Sequence, residues 1–120
     1  MSKIRMEKRR KVIDFTPVLD VHTNTSLGYL DDLTQKGALM VSEKPVESGQ
    51  ALTVAIEFRD SPNKPPSKHM IVSARVAWCK PEKHHTYYKV GLEFVDMLEQ
   101  NMQMIEAILL KYEFSARRPK

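Results

Sequence analysis

Tyr88-Lys89-Val90-Gly91-Leu92-Glu93-Phe94-Val95-Asp96-Met97-Leu98-Glu99 is the stretch on which the fold turns. Up to Phe94, the apolar Tyr88, Val90, Leu92 and Phe94 alternate with Lys89, Gly91 and Glu93. That period of two marks a strand with one buried face. At Asp96 the period changes. Leu98, Met102, Ile105, Leu109 and Tyr112 follow at i, i+4, i+7, i+11 and i+14, a single apolar stripe along a helix. Asp96 with Glu99 has the form of an N-cap and its capping-box partner. The helix is expected to fade near Phe114, and its stripe must cover a sheet or meet a partner.

Upstream the same period of two recurs. Met70, Val72, Ala74, Val76 and Trp78 alternate with Ser73, Arg75 and Cys79. By parity, Trp78 belongs to the core face, while Arg75 and Cys79 point outward. Leu52, Val54, Ile56 and Phe58 share one face of another strand. Leu27 to Leu33 and Ala38 to Val41 read as two more, and Ile13, Phe15, Leu19 and Val21 as the first. Turns are expected at His22–Ser26, at Pro45–Gln50 with its Gly49, and at Lys80–Thr86. Asp60–Ser67 contains Pro62, Pro65 and Pro66, which forbid a ladder, so it is a loop. Six short strands followed by one helix describe a mainly-β antiparallel barrel or sandwich with a C-terminal helix.

A chain of 120 residues with 42% apolar side chains makes one small domain, without room for a catalytic and a regulatory one. Residues 1–11 carry Lys3, Arg5, Lys8, Arg9, Arg10 and Lys11 against Glu7, and the last six carry Arg117, Arg118 and Lys120. With the whole chain at +4, ends of +5 and +3 leave residues 12–114 at −4. An acidic body therefore has two basic ends. The lone Cys79 cannot close an intramolecular disulfide. Neither a leader-like apolar stretch nor a spanning window is present. A cytoplasmic protein without membrane insertion is the expectation.

Catalysis finds no support in the residues. His22, His69, His84 and His85 lack metal-ligand spacing, and Cys79 has no adjacent base. Asp31 and Asp32, as neighbours in a strand, point to opposite faces rather than converging. Neither a Walker loop nor a dinucleotide-binding loop occurs. No metal and no cofactor are expected. Two other segments do carry chemistry: Arg5-Met6-Glu7-Lys8-Arg9-Arg10, and Asp32-Leu33-Thr34-Gln35-Lys36-Gly37 between the second and third strands. Arginine binds phosphate bidentately and stacks on a purine face. A carboxylate such as Asp32 complements the donor edge of guanine, Thr34 offers a hydroxyl, and Gly37 permits close backbone approach. Together they suit a guanine that carries phosphates.

In this order and on this strand pattern, the segments resemble the PilZ domain family, small bacterial barrels that bind the second messenger cyclic di-GMP. Arg5 and Arg9 match the family's Arg-x-x-x-Arg motif, with Arg10 the adjacent alternative for its second arginine. Asp32, Thr34 and Gly37 match Asp/Asn-x-Ser-x-x-Gly, with threonine in place of serine. Thr16-Pro17-Val18, Arg75-Val76-Ala77-Trp78 and Val90-Gly91-Leu92-Glu93-Phe94 are further similarities, so the resemblance spans about Arg5 to Tyr112. It implies a six-stranded antiparallel Greek-key β-barrel with a C-terminal α-helix. It divides the chain into a flexible basic arm (1–11), the barrel with its helix (12–114) and a basic tail (115–120). It further implies a receptor in which Arg5, Arg9, Arg10, Asp32, Thr34 and Gly37 bind cyclic di-GMP. Ordering of the arm then alters a surface offered to a downstream protein. Family members without the motifs work by protein contact alone, and that is the alternative reading. Nucleic acid is an unlikely partner, because the strands lack an outward aromatic platform with basic neighbours. Arg75 could reach a ligand phosphate or form a surface salt bridge. Met97, Met102 and Met104 could make an adaptable partner surface.

Overall fold

A computed structural model describes residues 10–12, 16–58, 65 and 68–114, with backbone alone for 10–12 and 111–114. Arg5, Arg9, the expected strand start at Ile13–Phe15, all of the 60–67 loop but Pro65, and the 115–120 tail lie outside the described residues.

Six strands close a barrel: β2 (Pro17–Asp20), β3 (Thr25–Leu33), β4 (Gly37–Ser42), β5 (Ala51–Phe58), β6 (Lys68–Pro81) and β7 (Tyr88–Val95). Their order is β2-β3-β4-β7-β6-β5, with β5 returning to β2 and every pairing antiparallel. One helix follows, α1 (Glu99–Lys111). Two further short strands lie outside the barrel. β1 (Arg10–Val12) pairs in parallel with β8 (Tyr112–Phe114), Arg10 opposite Tyr112. The backbone after α1 is thus tied to the segment that follows the arginine motif, and Tyr112 belongs to that ribbon rather than to the helix.

The alternating residues fill the barrel as their period requires. Val18, Leu30, Met40, Val54, Ile56, Phe58, Met70, Val72, Val76 and Val90 are all buried, and α1 adds Ile105 and Ile108 to the same core. The helix stripe is rotated from the expected one. Asn101, Ile105 and Ile108 are buried, whereas Leu98 and Met102 are exposed. The physical reason is a polar contact: Asn101 Nδ2 donates to the carbonyl of Ile71 on β6 at 3.0 Å. α1 also starts later than the capping pattern implies. Asp96 sits at φ +52°, and it is the Leu98 carbonyl that accepts from Asn101 N and Met102 N.

The ladders shift register at three places, Val18/Leu19 between β2 and β3, Leu30/Asp32 in β3 and Val76/Trp78 in β6, and the last two shape the site. An extra residue reverses the in–out assignment of everything beyond it. Trp78 therefore leaves the core and is 38% exposed. Cys79 turns inward against the core, where its Sγ accepts from Val46 N at 3.5 Å. Both expectations for these residues are reversed, and Trp78 with Lys80 beside it also overturns the expectation that the strands carry no outward aromatic next to a basic residue.

Candidate ligand-binding groove

The turn from β3 to β4 is built by Thr34. Its N–H donates to the Gly37 carbonyl at 2.9 Å, and its Oγ1 accepts from Lys36 N at 3.2 Å and Gly37 N at 3.1 Å. A serine hydroxyl would serve equally, because the methyl takes no part in these bonds. Lys36 O accepts from Phe94 N at 2.8 Å, locking the turn to the end of β7. Gly37 is required by contact. A Cβ there would lie 2.2 Å from the Leu92 carbonyl oxygen, so no side chain fits without backbone movement.

Beside this turn an open groove of about 500 Å³ is lined by Asp32, Thr34, Lys36 and Gly37, by Ala77 and Trp78 of β6, and by Gly91 and Glu93 of β7. The two bulges make it. The β3 shift leaves both neighbouring carboxylates outside the core, between the buried Leu30 and Leu33, and so corrects the expectation that they point to opposite faces. Asp31 accepts from Lys89 Nζ at 3.0 Å, while Asp32 faces the groove with Oδ1 accepting from Leu33 N at 2.8 Å. The β6 shift brings Trp78 outward onto Gly91, where a Cβ would fall 2.4 Å from the indole nitrogen. The indole ring fits because residue 91 has no side chain. Lys80 Nζ approaches the ring to 5.5 Å from its centroid. Arg75 forms the surface salt bridge, Nη2 to Glu93 Oε1 at 2.6 Å.

The structure brings Asp32, Thr34 and Gly37 together on one rim. Of the expected arginines, Arg5 and Arg9 lie outside the described residues, and Arg10 is described only as backbone in β1. Trp78, Lys36 and Gly91 line the groove without having been foreseen there. The one signal for them was Gly91 inside a strand, which marks a bulge or a close approach.

Among the described residues no three His, Cys, Asp or Glu side chains are grouped to hold a metal ion. Burial pulls the pKa of Lys89 down, but the hydrogen bond and charge of Asp31 outweigh it, leaving it above the ordinary lysine value. That pair is structural and outside the groove.

A closed β-barrel with an aromatic platform and a polar rim turn around one open groove defines a small-ligand binding module. The chain belongs to the PilZ domain family, whose family model matches residues 3–111. PilZ domains are binding and effector modules of the cyclic di-GMP-binding type rather than catalysts. No curated protein and no solved structure matches the chain. Among the described residues, no helix is long and apolar enough to cross a membrane.

Proposed function

We propose that this chain is a receptor for cyclic di-GMP that signals to a partner protein. The observation that supports the reading is the convergence of Asp32, Thr34 and Gly37 with an exposed Trp78 on one groove. Asp32 is suited to the donor edge of guanine. The turn offers its polar rim to a ribose or phosphate, and the Trp78 face offers a stacking surface. Arg5, Arg9 and Arg10 close on the ligand's phosphates from the N-terminal segment, in which basic residues far outnumber the single Glu7. Since β1 follows directly after Arg9 and pairs with β8, engagement of the arginines pulls on the ribbon that joins the arm to the end of α1. Arm ordering is thereby transmitted to the face that meets the partner, in a cytoplasmic bacterial setting.

Isothermal titration with cyclic di-GMP tests this. Arg9→Ala and Asp32→Ala should each weaken binding by roughly 10–150-fold, the loss of about 1.5–3 kcal/mol for a charge-assisted contact. Wild-type affinity in both variants would remove the proposed site. A wild-type chain that takes up no ligand would favour the protein-contact reading instead.

A further inference from the structure

The 32–37 turn has a second connection, through a residue that is not part of the groove lining. Gln35 Nε2 donates to Glu106 Oε2 on α1 at 3.0 Å. Gln35 does not line the groove. It occupies a position between the motif residues and spends its side chain on the helix.

Glu106 lies in the middle of an exposed ridge. Leu98, Met102, Glu106 and Leu110 recur every four residues, and neighbours at that spacing share one helix face. Leu98 is 57%, Met102 42% and Leu110 77% exposed. Large apolar side chains grouped on a surface mark an interaction site. Between Leu98 and Leu110 the charged groups are Glu99 and Glu106, and the one basic residue of α1 is Lys111 at its last position. An apolar ridge with a carboxylate at its centre complements an amphipathic segment whose apolar side chains flank a lysine or arginine.

From this we infer that the Leu98–Met102–Leu110 ridge docks a basic amphipathic segment of a partner protein, and that Gln35 couples the Glu106 carboxylate in it to the 32–37 turn. The docking surface stands independently of the ligand. The coupling rests on the reading of the groove as a cyclic di-GMP site.

The probe is a fluorescein-labelled helical peptide with a leucine face and a lysine face, with a glutamate-for-lysine twin as control. Anisotropy is measured on the full chain with and without cyclic di-GMP. Without the messenger, the lysine peptide should bind more tightly than its twin by roughly tenfold or more. Glu106→Lys should invert that preference, and Met102→Asp with Leu110→Asp should abolish binding while circular dichroism stays unchanged. Saturating messenger should shift the lysine-peptide affinity about fivefold or more, and Gln35→Ala should erase the shift. Equal binding of both peptides, or binding that survives the aspartates, overturns the docking surface. If the messenger binds but shifts nothing, the coupling is wrong. If it does not bind at all, the groove reading fails while the ridge measurement remains decisive.

Discussion

β6 behaves as two strands joined at Ala77. From Met70 to Val76 its side chains alternate in and out without exception, and the inward ones are buried. Beyond Ala77 the alternation is inverted: Trp78 stands in solvent over Gly91 and Cys79 turns to the core. The first half builds the barrel and the second half builds the groove. The lesson is that a strand's contribution to a binding site comes from a break in its pattern, since strict alternation commits every large apolar residue to the interior.

The sharpest test contrasts two large residues on either side of that break. Met70 is fully buried, so Met70→Ala should destabilise the fold by about 2–5 kcal/mol in urea denaturation, with affinity for cyclic di-GMP changing only through unfolding. Trp78→Ala should do the reverse. Its melting point should move little, while affinity falls by roughly 5–150-fold, the equivalent of about 1–3 kcal/mol for a lost stacking contact. If both substitutions act on stability alone, the two halves of β6 have one function.

Gly91→Ala asks whether the platform depends on the empty position beneath it. The new methyl would meet the indole, a movable side chain rather than backbone. The cost should therefore be about 1 kcal/mol or less in stability, with a larger effect on ligand affinity and a shifted Trp fluorescence maximum. The smallest effect should come from Lys89→Met, a residue outside the groove lining. The Lys89–Asp31 pair is part-buried, and such pairs contribute about 0.2–1 kcal/mol. Because the folded pKa of Lys89 is raised, that contribution is fully present below the unfolded lysine value of about 10.4. It is lost as pH rises through the folded value. Melting curves of variant and wild type should therefore differ at pH 8 and converge in strong alkali.

The sequence makes the barrel legible because stretches with a period of two recur in five of the six strands, from Leu27 to Phe94, and survive on either side of the breaks in β3 and β6. The rim turn is legible for a local reason: Asp32 and Thr34 act through bonds set within a few residues, whereas the close approach that requires Gly37 is to Leu92 on β7. Trp78 escapes that reading because a single inserted residue leaves composition and spacing almost unchanged while reversing every parity after it. Gln35 and Glu106 escape it because their bond spans 71 positions and neither residue type announces the other. The β1–β8 pairing likewise joins the two ends of the chain. The arginine segment lies outside the described residues, so its part in the site is read from sequence alone.

The amide of Asn101 has a consequence for how α1 is seated. The expected setting would bury Leu98 and Met102 with Ile105 and Leu109; its rival keeps Ile105 and Leu109 against the core and adds Ile108, Met97 and Met104. One hydrogen bond to the Ile71 carbonyl selects the other rotational setting, because an amide turned to solvent would leave that strand-edge oxygen without this donor. A single buried polar group thus joins Ile105 and Ile108 in setting the azimuth of a whole helix, and with it the face that the protein displays.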